Sequence, residues 1–545
     1  MSNFTPYLYK HTLSQHVYKY IRLTLNTVGA IVCAFLVACS TTSGSKSGSS
    51  KTGFLPCQPG LSTSQNVSCL NDSQSHPPPV HYKELKYDSL LYSAPLASEF
   101  RKWSSDSLEI YYSADTSLDL VNLIVYLDRS NLPMSRTEKA TLQLLEKIYI
   151  DGGTSRLSPQ QVRDSLEFNA ASLTLSIENY STVLRLTSLK EHFFPLLGLL
   201  QEASLQPGLD TAHYSWAYKK WIESLNHQWD APQSVLGSAF EKTMTGQGPE
   251  TWVITPSLAK SVSIAALKTY TSFPIRAPRV ILAFTGPQSW NEVSDSLLQF
   301  SKAFIHKGNM DPSGKPIQGP QSQIPQPAQS GVYLVPRDLT QGQIRIGFPG
   351  LQRPHPDYYA LQLASTIFGS GGFTSRLVKS VRTEAGFAYS VRSYVESDYK
   401  KPGTLGIALQ TKVASTLDAV ALCLYEINKA RDSGFTQEEF DWAKQSLLQS
   451  LPGYFETPVA TAEIFAENAL LKRPDDHFRQ YKKALDTLTL QEVNSAFARY
   501  FVTEKARIVL VGPDSLLNQS FDPQKHIQIP WNTKTVWPLD TLNLF

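Results

Sequence analysis

The sequence predicts an α+β protein of two tandem homologous domains, each a mostly antiparallel sheet layered with helices. Three observations predict it. An apolar strand closed by Gly-Pro occurs twice, as Arg279 to Pro287 and as Arg507 to Pro513, and the two Gly-Pro pairs stand 226 residues apart. Trp216-Ala217 in WAYKKWIESL recurs at the same spacing as Trp442-Ala443 in WAKQSLLQSL. Between these units, residues 311–330 hold five prolines, two glycines and five glutamines, a composition that separates domains. A long repeat of this kind is one folding unit used twice. Strands and helices that come in runs, not in strict alternation, favour α+β layers over a doubly wound sheet. The domains are placed at 90–310 and 331–535.

Ahead of them lies an address. Lys10, Lys19 and Arg22 precede a mostly apolar run from Leu23 to Ala38, shorter than the ~20 residues that span a bilayer, so 1–38 reads as a signal peptide. The run ends Leu36-Val37-Ala38-Cys39, which resembles the bacterial lipobox: Cys39 becomes the acylated N-terminus, and the chain gains a lipid anchor in the membrane. Ser40, where an aspartate would suggest retention in the inner membrane, favours the periplasmic face of a Gram-negative outer membrane. Residues 39–89, with SGSKSGSS and Pro77-Pro78-Pro79, have the composition of a flexible tether. Cys57 and Cys69 lie in it, bridged or free. Cys423 sits in an apolar helical pattern and reads as a buried, inert thiol.

Composition removes several classes of function. Fifty basic and 47 acidic residues give a net charge of +3, with no polybasic footprint for nucleic acid and no depletion of apolar residues that would mark disorder. The five cysteines show no CxxC spacing, which argues against a cysteine zinc site.

Each half runs strand, long helix, strands, helices, strand. In the first, strands are expected at 108–112 and 120–127, a helix at 136–150, an alternating hairpin at 171–188, and helices from about Glu191 and Thr211. In the second, strands are expected at 332–335 and 343–348, helices at 357–368 and 374–383, and strands at 387–395 and 403–410.

The second half carries Gly369-Ser370-Gly371-Gly372-Phe373-Thr374-Ser375-Arg376-Leu377, then Val381-Arg382, then Gly386-Phe387-Ala388-Tyr389. This run resembles the second-domain signature of the insulinase-like metallopeptidases, the family of pitrilysin and the mitochondrial processing peptidase. Ile344 to Gly350, Pro356 to Ala360 and Leu118 to Asn122 fit as well. The resemblance implies two clam-shell halves around a peptide, with the glycine-rich loop and Phe373 lining the chamber. It also implies that Arg382 and Tyr389 match an arginine–tyrosine pair that reaches the substrate backbone.

Active members of that family carry HxxEH on the first long helix: two histidines on one face hold zinc, and the glutamate activates the bound water. Here the corresponding run is Gln143-Leu144-Leu145-Glu146-Lys147. The glutamate stands, but an amide and an ammonium replace the imidazoles, and an ammonium repels a divalent cation. The position of the third ligand falls at Ser224, with Glu223 one residue away. No two histidines stand four apart anywhere in the chain. Glu191-His192 imitates half of the motif, but Ser188 occupies the position four before His192. GSGGF lacks the Lys-Ser/Thr ending of a phosphate-binding loop.

The chain therefore resembles the family's zinc-less subunits, with no metal or cofactor of its own. The leading expectation is a non-catalytic partner of an HxxEH-bearing peptidase, supplying the Arg382–Tyr389 pair for peptide substrates. The alternative is a peptide-binding or assembly scaffold of the same fold with no proteolytic role.

Overall fold

The computed structural model describes residues 92–129, 135–209, 211–271, 274–306, 327–518 and 534–536. Cys39, Cys57, Cys69, the signal and tether spans, and the linker up to residue 326 lie outside them. Among the described residues, no helix is long and apolar enough to cross a membrane.

Among the described residues, two six-stranded sheets carry the architecture. The first takes β1 (Arg101–Ser104), β2 (Leu108–Ala114), β3 (Leu120–Asp128), β4 (Ser172–Ile177), β5 (Ser181–Leu189) and β6 (Arg279–Gly286) in the order β1-β2-β6-β3-β5-β4. The second takes β7 (Gly331–Pro336), β8 (Gln341–Pro349), β9 (Ala388–Val395), β10 (Thr404–Lys412), β11 (Arg507–Gly512) and β12 (Lys534–Val536) in the order β12-β7-β11-β8-β10-β9. Strand for strand, the five positions from β2 to β4 match those from β7 to β9. In each sheet the closing Gly-Pro strand lies parallel to the first of these and antiparallel to the next. The 226-residue repeat is thus a repeat of topology.

Alternation along the strands supplies two buried faces per sheet. On β3, Leu123, Val125 and Leu127 join one core, with α1 (Arg136–Tyr149), α3 (Phe193–Leu205) and α4 (Thr211–Asn226) over them; α2 (Pro159–Phe168) adds Val162. The helices expected in the first half correspond to observed ones, with α2 unanticipated, whereas in the second half the helix expected at 357–368 is α-helical only over Tyr358–Ser365 before π winding, and the one expected at 374–383 is replaced by a tight turn at Gly372–Thr374 and π winding over Val378–Glu384.

The opposite faces are covered by exchange. Ile124 and Tyr126 of β3, with Val183, Ile281 and Ala283, pack against a helix of the other half, Pro458–Leu470, through Ala462, Phe465, Ala466 and Ala469. Reciprocally, Pro232–Thr245 of the first half, with Val235, Leu236, Ala239, Phe240 and Met244, covers Tyr333, Val335, Val509 and Val511 of the second sheet. Pro232 and Pro458 both occupy the first helical turn, where a missing N–H costs nothing, and they too stand 226 residues apart. Gly347 permits the close approach: a Cβ there would lie 2.6 Å from both the Phe240 ring and Met244 Sδ.

Polar contacts fasten the exchange. Arg101 makes a two-pronged bond to Asp475 (2.9 and 2.8 Å), Arg185 donates to Glu463 Oε1 at 3.2 Å, and Arg279 donates to the Ala469 carbonyl at 2.9 Å. His477, which opens the helix His477–Thr487, is only 9% exposed, and burial, then Arg473 and Arg353, push its imidazole down to about 3. Between its ordinary value near 6.5 and about 3, the unfolded imidazole takes up a proton that the folded one refuses. Stability therefore falls as pH drops through that window, by about 2 kcal/mol at pH 5 from this group. Denaturant titrations at pH 7 and pH 5 measure the loss, and His477→Gln is expected to flatten it.

Candidate functional site

The residues that correspond to the family's metal positions sit on two packed helices. Ser135 starts α1 by accepting the Glu138 N–H at 3.1 Å, and the helix buries Ala140, Leu144, Leu145 and Ile148. The other stripe of the helix carries Gln143, Glu146 and Lys147, with the Lys147 side chain about half exposed. Glu146 is already engaged: Oε1 accepts from Lys147 Nζ at 2.9 Å, and Oε2 accepts the Ile177 N–H at 3.1 Å, at the end of edge strand β4. Ser224 and Glu223 are exposed on α4, and the Ser224 hydroxyl donates to the Trp221 carbonyl of its own helix at 2.7 Å.

These side chains do not fit zinc. A neutral amide and an ammonium stand where imidazole nitrogens would be needed, and the one carboxylate holds that ammonium. Among the described residues, no group of three His, Cys, Asp or Glu side chains could hold a metal ion. His192 lies in the single turn Lys190–His192 ahead of α3, beside Glu191 at 3.2 Å. The Cys423 thiol is fully buried, and burial pushes its pKa upward.

Arg382, Tyr389 and Phe373, far apart in type and setting, are brought together. Arg382 lies in a π-wound turn, Val378–Glu384, closed by the Ala385 N–H on the Ser380 carbonyl at 3.0 Å. Gly386 then turns the chain at φ +65°, a conformation that glycine adopts at little cost. On β9, Ala388 pairs with Thr411 and Ser390 with Gln410, so Tyr389 is the extra residue of a β-bulge. A bulge re-aims a side chain. Tyr389 is 83% exposed, Phe373 is 71% exposed, and the Arg382 guanidinium lies 5.6 and 4.8 Å from their ring centres.

Stacking uses the face of a guanidinium and leaves its in-plane N–H groups for an acceptor. No residue among those described accepts from Arg382 or bonds the Tyr389 hydroxyl. The support beneath them is fixed. Arg376 grips Glu439 through two bonds of 2.7 Å, and a Cβ on Gly371 would lie 2.6 Å from the Trp442 ring. The glycine-rich run is therefore a loop pressed onto its neighbours. Sequence reasoning missed the bulge, for which a one-residue offset between strands leaves no local mark.

Known proteins give the same frame. Residues 261–447, which contain the GSGGF loop, Arg382 and Tyr389, match a family model described as the peptidase M16 inactive domain. An uncharacterized zinc protease, YmxG, of Bacillus subtilis is 23% identical over 68% of this chain and 87% of its own length. A non-peptidase homolog, also YmxG, of Helicobacter pylori is 27% identical over 34% of this chain. The chain spans only 42% of that relative and 36% of an uncharacterized zinc protease of Streptomyces coelicolor. A peptidase M16 inactive domain from Pseudomonas fluorescens superposes with a TM-score of 0.63 at 20% identity, over 76% of this chain and 97% of that one. The periplasmic protease PqqL from Escherichia coli does so with a TM-score of 0.58 at 15% identity, over 75% and 45%. The chain is a homologue of the insulinase-like, or M16, metallopeptidases and carries their inactive domain.

Proposed function

We propose that this chain is the non-catalytic partner of an HxxEH-bearing M16 peptidase and lends it Arg382 and Tyr389 to hold the peptide. One observation supports this above others: among the described residues the donors of that pair, an exposed Tyr389 and a half-buried Arg382 beside it, have no acceptor, while the family's metal positions hold Gln143, Lys147 and Ser224. Phe373 shapes the wall beside them. The bulged strand β9 ends its sheet, and an extended peptide can add to such an edge through main-chain bonds. Zinc, on this reading, belongs to the partner alone.

The test is a mixing experiment with a quenched peptide. The chain alone is expected to carry no stoichiometric zinc by elemental analysis and to cleave nothing. Together with the zinc-bearing subunit it is expected to restore hydrolysis. One chelatable zinc per chain, lost together with a hydrolytic activity of its own, would falsify the proposal.

We further propose that Cys39 is lipidated and holds the chain on the periplasmic face of an outer membrane, for which the run Leu36 to Cys39 is the support. Cys39→Ala is expected to leave a soluble or unprocessed product. Fractionation of that variant with outer membranes, as for the parent, would refute the anchor.

A further inference from the structure

On the junction between the halves, away from Arg382, lies a cavity of about 600 Å³ lined by Arg353, Lys400, Lys472, Arg473, His477 and Asp128, with the rings of Tyr359 and Tyr399 in its wall. Two arginines and two lysines face one carboxylate in its lining. That carboxylate has its own partner, because Asp128 lies 3.6 Å from Arg279 Nη1. Among the described residues, none of the four cations is ion-paired within 4 Å.

Their other contacts hold them in place without neutralising them. The Arg353 guanidinium stacks 3.8 Å from the Tyr358 ring centre and 4.9 Å from that of Tyr399. Arg473 donates from Nη1 to Asn468 Oδ1 at 2.9 Å and from Nε to the Tyr399 hydroxyl at 3.0 Å, which leaves Nη2 uncommitted. Lys400 Nζ lies over the Tyr180 ring at 4.2 Å.

Two further observations point to an absent anion. His477, 9% exposed as a residue, lines the cavity, and its imidazole makes no hydrogen bond to another described residue. Burial first, and then the nearby Arg473 and Arg353, keep its imidazole neutral. Lys472, moreover, closes the helix Pro458–Leu470 at φ +55°, with its N–H on the Ala469 carbonyl and the Arg473 N–H on that of Asn468. Glycine usually fills such a position because L side chains resist it. A lysine there adds a charge to the cavity at the expense of backbone ease.

We propose that this cavity binds a small phosphate-bearing anion through Arg353, Lys400, Lys472 and Arg473. The planar arginine forks suit phosphate oxygens, the volume suits more than a halide, and the tyrosine rings offer a wall for an organic group. His477, neutral and unbonded, can donate one further hydrogen bond.

Calorimetric titration of the mature chain with inorganic phosphate, pyrophosphate and adenosine monophosphate tests this at low ionic strength. Saturable binding at one site is expected. Tighter binding of the nucleotide identifies an organic phosphate as the source, and tighter binding of pyrophosphate identifies an inorganic one. Lys472→Gly removes a cation while relieving the backbone, so it is expected to melt no lower than the parent and to bind about tenfold more weakly. Arg473→Gln is expected to weaken binding as well, and comparison of the two guards against a folding defect. Absence of saturable binding in the millimolar range overturns the proposal, as does unchanged affinity in the Lys472→Gly chain.

Discussion

An Arg382→Ala chain, mixed with a zinc-bearing M16 subunit, is expected to support about one-tenth to one-hundredth of the parent kcat/KM on a quenched peptide. Partner binding and the partner's zinc content are expected to stay intact. Among the described residues the guanidinium has no acceptor, and a charged donor that meets a carbonyl in a water-poor chamber contributes roughly 1.5 to 3 kcal/mol. That range converts to the stated loss. Tyr389→Phe removes only the hydroxyl and isolates its bond, while Arg382→Lys keeps the charge but loses the planar stack on Phe373 and Tyr389. Neither residue belongs to the core, Tyr389 being exposed and Arg382 half-buried. Unchanged turnover with an intact complex, measured by sedimentation beside the kinetics, would leave this chain as an assembly scaffold.

Phe465→Ala is expected to cost about 3 to 5 kcal/mol, a large share of the stability of any domain. Phe465 is 1% exposed on the helix that crosses from the second half to the first sheet, and its ring meets Phe100 at 5.2 Å and Phe455 at 5.6 Å. Those neighbours come from both sides of the junction, so the void cannot close by a local shift. Denaturant unfolding followed by tryptophan fluorescence and by circular dichroism is expected to show one shared transition at lower midpoint. Two separate transitions would mean that the halves stand without each other's helices.

Much of this was legible in the chain. Apolar strand patterns and Gly-Pro ends are local signals, so the strands at 120–127 and 343–348 lie within the observed β3 and β8, and the two Gly-Pro runs are β6 and β11. Missing histidines are equally local, which is why Gln143 and Lys147 could be read as a lost metal face. The crossing of the Pro232 and Pro458 helices was not legible, because an apolar helix face does not name the sheet it covers. The one available signal was the recurrence of Pro232 at Pro458. Nor could the cavity be seen: Arg353, Lys400 and the neighbours Lys472 and Arg473 come from three separate loops, and only the closed junction gathers them.

The traded helices also set an order of events during synthesis. A ribosome releases the first sheet's last strand, which ends at Gly286, long before it releases the helix that starts at Pro458. Until then one face of the nascent sheet, with Ile124, Tyr126, Val183 and Ile281, stays open to water and to other chains. Domains commonly fold as they emerge, N-terminal first. This chain cannot finish its first half that way, so holding factors that shield apolar surface have a long interval in which to act, and truncation before residue 458 would strand an adhesive sheet.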